Sequence, residues 1–348
     1  ISKEVIMLQK KVDKLPEWDL TDLYDAPESA KFISDMEQLK KSVQNFEAEY
    51  KKNILIENSS VSENVKRLKK SIVLYEGILN AMGKLSGFAT LHHVTATSDP
   101  SRTKFYGDTQ VKITEISNKI IFYELELNSL PEDMIEVLLN DKELSPYRSW
   151  FENIRKYKPH QLSDEVEQIF HDKSMTSFSA WNRLFDQTIS NMKVVIDGES
   201  KSLEEALNYL LSPLEKDRKN AFLSVTTKLK ENITLFTHIM NTICQDKSIS
   251  DKWRKYKYPQ QSRHLANNIE PEVVDALVSA VELNYTNTSH RYYKLKSEIL
   301  GKKHLESWDR NAPLPDTKTK EIKWSDAKDI VIEAYDEFSP DLAKIVKR

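Results

Sequence analysis

Glycine is nearly absent from this chain, six residues in 348, where average usage would be ~7%. Glycine supplies the positive-φ corners on which tight hairpins and phosphate-binding loops depend. Its scarcity disfavours sheet-rich and nucleotide-binding folds and leaves helices to order the backbone. Hydrophobic periodicity agrees. Phe32, Met36, Leu39, Val43, Phe46 and Tyr50 alternate in steps of four and three, which aligns them on one helix face. Val61, Val65, Leu68, Ile72, Tyr75, Leu79 and Met82 form a second stripe, and Phe105, Thr109, Ile113, Ile116, Ile120, Tyr123 and Leu127 a third. Such helices cannot bury their stripes singly, whereas antiparallel packing on one another does so. The expected fold class is all-α, with 39% hydrophobic residues to build a core.

Helix starts are marked chemically. Ser60-Val61-Ser62-Glu63 and Ser202-Leu203-Glu204-Glu205 have the form of capping boxes, in which hydroxyl and carboxylate satisfy orphan amides reciprocally. Asp99-Pro100, Ser145-Pro146, Ser212-Pro213 and Ser339-Pro340 set a capping side chain before a proline whose fixed φ suits a first helical turn. Gly77, Gly83 and Gly87 fall within the second stripe, each at ~1 kcal/mol relative to Ala. Either close backbone packing offsets that cost or the helix breaks near Gly83. One segment reads as strand: Lys193-Val194-Val195-Ile196 runs into the turn dipeptide Asp197-Gly198, predicting a small β-hairpin. A domain boundary is expected near residues 185–195. Trp308 to Trp324 is the longest interval without helical pattern.

The motifs of several chemistries are missing. There is no G-x-G-x-x-G, no G-x-x-x-x-G-K-[ST] and no G-x-S-x-G. The single Cys244 excludes a disulfide framework within the chain and reads as a buried structural thiol. A helical zinc site wants imidazoles at i and i+4, and none of the eight histidines is so spaced; His92 and His93 point about 100° apart on a helix. Basic and aromatic residues interleave at Lys252–Tyr258 and His290–Lys294. Nucleic-acid binding would use them on phosphates and bases, but rings buried under snorkelling lysines are the favoured reading. A net charge of −3 gives no drive toward nucleic acid or anionic membranes. No apolar run reaches the ~18 residues of a membrane span. An opening residue other than Met and an ending inside a helical pattern both hint at a fragment.

Several segments, in order along nearly the whole chain, resemble the oligoendopeptidase F family of thimet-like metallopeptidases. They are Leu15-Pro16-Glu17-Trp18-Asp19-Leu20-Thr21-Asp22-Leu23-Tyr24, then Tyr147-Arg148 through Leu162-Ser163-Asp164-Glu165-Val166-Glu167, and Ala180-Trp181-Asn182-Arg183-Leu184-Phe185-Asp186. His290-Arg291-Tyr292-Tyr293-Lys294-Leu295-Lys296, Trp308-Asp309-Arg310-Asn311-Ala312-Pro313-Leu314 and Phe338-Ser339-Pro340 complete the series. The resemblance implies a thimet-oligopeptidase-like multi-helix fold, with residues 1–185 as an N-terminal helical domain and 186–348 as the start of the catalytic domain. It implies a zinc enzyme of the cytoplasm that hydrolyses oligopeptides. In that family a His-Glu-x-x-His helix and a later Glu hold the ion, and that motif is not in this sequence.

No catalytic or metal-ligating residue is therefore assigned in this chain. Without the missing C-terminal catalytic portion it is expected to bind no zinc and to be inactive, forming part of a substrate-cleft wall. Arg263, His264, Arg310 and Asn311 occupy loop-like surroundings and are the candidates for touching a peptide backbone or carboxylate. Fixing their own loops is an equal reading. The alternatives are a non-catalytic helical scaffold or interaction module and, more weakly, nucleic-acid binding through Lys252–Tyr258.

Overall fold

The fold follows from how the apolar stripes are used. A computed structural model describes residues 18–315 and 322–347, and it divides into two compact units, Leu20–Ala312 and a smaller one of residues 1–19 with 313–348. The start of the Leu15–Tyr24 segment lies outside the described residues.

In the larger unit the first stripe becomes α1 (Ala30–Tyr50), and all six of its predicted residues are buried. The second becomes α2 (Val61–Val94), opened by the Ser60/Glu63 capping box. It runs unbroken through Gly77, Gly83 and Gly87, and a Cβ built on any of them would meet nothing within 4 Å. Neither a break nor close packing explains these glycines. Its buried face also departs from the expected stripe: Val61 and Leu79 are exposed, while Ile78, Leu85 and Phe88 are buried. Along this stretch α2 packs on two neighbours at once: Phe88 lies 5.9 Å from Phe32 of α1 and 6.0 Å from Phe105 of α3 (Pro100–Asn118).

The third stripe is split between α3 and α4 (Ile121–Ser129), yet Ile113, Ile116, Ile120, Tyr123 and Leu127 remain buried together. Helices α5 (Glu132–Leu139) and α6 (Arg148–Arg155) close this core with Ile135, Leu138 and Phe151. Tyr123 is fully buried at its centre, its hydroxyl 2.7 Å from that of Ser71. Tyr24 joins the core by edge-on contacts with Phe32 and Phe88.

After α7 (Asp164–Ser174) and α8 (Phe178–Ser190) comes the predicted hairpin, β1 (Lys193–Ile196) against β2 (Glu199–Ser202), antiparallel with Ile196 opposite Glu199. Asp197 and Gly198 both take positive φ in the turn. The Ser202/Glu205 capping box opens α9 (Leu203–Asn208). Val194, Ile196, Leu203 and Ala206 pack with Ala221 and Val225 of α10 (Glu215–Glu231) in a second, smaller core. Ser212 does not cap α10 as expected. It stands three residues upstream, accepts from the Leu214 amide at 3.1 Å and donates to Asp217 at 3.0 Å, because Arg218 needs the Ser212 and Pro213 carbonyls.

The chain continues through α11 (Ile233–Trp253), α12 (Gln261–Ala266), α13 (Pro271–Asn284), a π-helical turn at Thr286–His290 and α14 (Arg291–Ile299). In the smaller unit α15 (Trp324–Phe338) and α16 (Pro340–Lys347) pack on each other around the buried Ala343, and Ser339 caps α16 as its Ser-Pro sequence predicts. The all-α class with one small hairpin is the observed architecture.

Candidate functional site

Two buried polar networks hold the segments on which candidate residues sit. The first surrounds the Trp308–Ala312 loop. Asp309 is fully buried in the 3-10 turn Ser307–Asp309. Arg218 of α10 donates to one carboxylate oxygen at 2.8 Å and Lys302 to the other at 2.6 Å. Arg218 also donates to the Trp308 carbonyl at 3.2 Å and, with the Ser212 and Pro213 carbonyls, engages all three of its guanidinium nitrogens. Lys302 pairs with Glu215 as well, which accepts from the Trp308 indole at 3.3 Å.

Burial works to raise the Asp309 carboxyl's pKa, but the hydrogen bonds from Lys302 and Arg218 outweigh it and hold the group below the ordinary carboxylate range. A third cation, Lys296 of α14, donates to the Arg310 carbonyl at 2.7 Å. Desolvation first, and the neighbouring Arg218 second, pull its ammonium below the usual lysine range. Buried charges are tolerated when their donors and acceptors are filled, and here the backbone of the loop does the filling.

The second network joins the Lys158–Glu167 segment to the end of α11. Arg254 makes a two-pronged pair with Glu167, both contacts 2.8 Å. His160 Nδ1 lies 2.7 Å from the Arg254 carbonyl. A carbonyl can only accept, so Nδ1 carries the proton and Nε2 is left to accept from Gln261 at 3.3 Å. Tyr256 packs on the His160 ring at 4.3 Å. In the Glu167 carboxyl, burial again pushes upward and is overcome by Arg254 and the Leu162 amide.

Within the Lys252–Tyr258 cluster Arg254, Tyr256 and Tyr258 are half-buried, while Lys252, Lys255, Lys257 and Trp253 are exposed.

Arg310 and Asn311 are exposed on the pinned loop. Arg263 is exposed on α12, and the adjacent His264 is half-buried with Nδ1 3.4 Å from the Tyr258 hydroxyl. The structure thus puts Arg310 with Asn311 on one loop and Arg263 with His264 on one short helix. Of the remaining histidines, His92 and His93 lie in ring contacts with Phe88 and Tyr106. Cys244 corrects its expectation, being exposed; at about 100° per residue it stands roughly 140° around α11 from Ile239, the buried residue of that helix.

Among the described residues no three of His, Cys, Asp and Glu come together in a way that could hold a metal ion. The described side chains therefore do not fit zinc. No described helix is long and apolar enough to cross a membrane. Reading by sequence missed Arg218, Lys296, Lys302 and the Glu167–Arg254 pair. Their partners lie as far as 91 positions away, and local spacing carries no signal of them.

The other feature of note is apolar exposure. Helix α13 has no buried residue, and its Leu277 and Leu283 are 64% and 80% exposed. Tyr292, Leu295 and Ile299 of α14 are exposed too. In the smaller unit Ile330, Val331 and Phe338 of α15 are likewise uncovered. Large apolar patches on a surface mark faces that meet something else, and α13 with α14 in one unit and α15 in the other are each candidates for such a face.

Known proteins converge on one family. Residues 126–193 match the family profile described as Oligopeptidase F. Oligopeptidase PepF of Bacillus subtilis is 24% identical across 97% of this chain and 51% of its own length. The oligoendopeptidase F homolog of Borreliella burgdorferi is 21% identical across 97% of this chain and 56% of its own. The crystal structure of oligoendopeptidase F from Enterococcus faecium superposes with a TM-score of 0.72 at 18% identity, over 91% of this chain and 64% of that one. The chain spans about half the length of the curated relatives it matches. In sequence and in fold this chain is similar to oligoendopeptidase F peptidases.

Proposed function

We propose that this chain supplies the architecture of a zinc-dependent metalloendopeptidase that hydrolyses oligopeptides in the cytoplasm, and that it is inactive alone. In this reading residues 1–185 are the N-terminal helical domain and 186–348 begin the catalytic domain. The single observation that carries it is the similarity to oligoendopeptidase F over 97% of this chain but only about half of the relative. The apolar faces of α13 and α14 support it, since a further catalytic portion would cover them. The zinc ligands and the general base belong to that portion, and no step of peptide hydrolysis is assigned to residues of this chain. Its own contribution is part of the cleft wall. Arg310 and Asn311, on a loop whose Trp308 and Arg310 carbonyls accept from Arg218 and Lys296, and Arg263 with His264 are the side chains assigned to contact the peptide backbone or a carboxylate.

The experiment compares this 348-residue chain with a version extended by the downstream codons of its gene. Metal content by plasma emission and cleavage of a quenched fluorogenic peptide should both be nil in the short chain and present in the long one. Chelator-sensitive turnover by the short chain would overturn the assignment.

A further inference from the structure

A groove of about 720 Å³ runs between α1 and α2, on a face formed by neither polar network. At one end Lys70 pairs with Glu49 at 3.0 Å. At the other, Asp35 accepts from the Tyr24 hydroxyl at 2.9 Å and Lys84 lies over the same ring. The two helices are therefore antiparallel, with 35 beside 84 and 49 beside 70, and the groove is about 21 Å long at 1.5 Å per residue. Each end carries one acid on α1 and one lysine on α2. Between the ends α1 contributes Gln38, Ser42 and Asn45, and α2 contributes Val73, Leu74, Gly77 and Ala81. Val73 and Leu74 are exposed. Gly77 lies midway between Lys70 and Lys84, and its missing side chain leaves open space. Within this chain nothing offsets the helix propensity that glycine forfeits.

We propose that this groove is a self-association surface and that its occupant is a second copy of the chain. A two-fold axis along the groove lays α2 of each copy over α1 of the other. Every neighbouring pair of helices is then antiparallel, the arrangement of an up-and-down four-helix bundle. The charges select that arrangement. Lys70 meets the partner's Glu49 and Lys84 meets the partner's Asp35, and symmetry repeats both pairs. Reversing one copy end for end would set lysine over lysine and acid over acid. An unrelated helix with one sign of charge would satisfy half of each end, so the groove is matched to itself. The absent side chain of Gly77 and the small methyl of Ala81 allow the close approach of backbones at the centre, where Val73 and Leu74 cover one another's flanks. An isologous contact of this kind needs each residue to serve twice. The contact is small by the standard of stable interfaces, so the dimer is weak and concentration-dependent.

Sedimentation velocity on the chain, from about 1 to about 300 µM, spans the affinities that small interfaces give. The expected result is a monomer–dimer equilibrium within that range. Gly77→Leu projects into the centre of the groove from a position where a Cβ meets nothing within 4 Å, and should remove the dimer while leaving the circular dichroism unchanged. Lys84→Glu should weaken the dimer about tenfold by facing the partner's Asp35, and the Asp35→Lys/Lys84→Glu double variant should recover most of the loss. A chain that stays monomeric throughout overturns the proposal. So does a dimer indifferent to both Gly77→Leu and Lys84→Glu, which would place association on another face such as that of α13.

Discussion

Asp309 and Glu124 are both carboxylic acids drawn into the protein, and their surroundings push them in opposite directions. Asp309 has a cation on each oxygen and no exposure. Replacing it by Asn leaves Arg218 and Lys302 buried side by side, and loss of one partner from a buried pair costs about 3 kcal/mol. Its folded pKa lies below the ordinary value. Its stabilisation is therefore complete above the unfolded pKa of about 3.9 and disappears as pH falls through the lower folded value. Urea transitions should separate wild type from Asp309→Asn widely at pH 7 and converge toward pH 2; a constant separation would contradict the ion-pair account. In Glu124, burial raises the carboxyl's pKa and the hydrogen bond from Tyr75, 3.2 Å away, only partly opposes it. A carboxyl with a raised folded pKa lowers stability at neutral pH, and that penalty vanishes below its unfolded value. Glu124→Gln keeps an acceptor for Tyr75 and removes the charge. We expect its melting temperature to rise by about 2 °C at pH 7 and to be unchanged at pH 3.5. No gain at pH 7 would show that Glu124 is better solvated than its position implies.

Helix α2 shows what a local pattern can and cannot specify. Its start was legible because a capping box is a four-residue event, complete in Ser60 and Glu63. The same holds for the hairpin turn at Asp197-Gly198 and for Asp99, which caps α3 through the Ser101 and Arg102 amides. The six-residue stripe of α1 was legible because one face serves one core throughout. Leu79 was misassigned because α2 packs on α1 and α3 at once, and periodicity records a face without recording what it meets. The pinned loop was beyond reach for a stronger reason: Arg218 and Asp309 pair across 91 positions of sequence, and nothing near either residue announces the other. Arg263 and Arg310 were candidates for their charge in loop-like surroundings, which says that a charge is present but not what it will face; Arg263 in fact lies on α12. The glycines of α2 give an element-level test. Gly83 is exposed in mid-helix with open space at its Cβ position, so Ala should fit without strain. Gly83→Ala should stabilise the chain by about 0.5–1 kcal/mol, read as a higher urea midpoint at unchanged slope. A loss instead would mean that something outside this chain approaches that backbone.

Across the molecule, apolar burial is unevenly shared. The larger core draws on α1 to α6, from Tyr24 to Ile154, whereas the second gathers Met192, Val194, Ile196, Leu203, Ala206, Ala221 and Val225. Helices α13 and α14 belong to neither. Local opening is easiest where few apolar contacts would be lost, so backbone amides of α13 should exchange with solvent at least ~100-fold faster than those of α1 and α2. The same reasoning fixes what surface substitutions will do. Leu277→Gln/Leu283→Gln retains helix propensity and removes two uncovered side chains. In this chain the pair should reduce binding of an apolar dye and slow aggregation, with the melting temperature unmoved, because neither leucine contributes to a core here. In a C-terminally extended chain the leucines would be covered, and truncating buried leucines costs about 2 kcal/mol or more each. The identical substitutions should there lower the melting temperature by several degrees. A drop already present in the short chain would mean that α13 packs within it. Indifference in the extended chain would mean that the catalytic portion docks elsewhere.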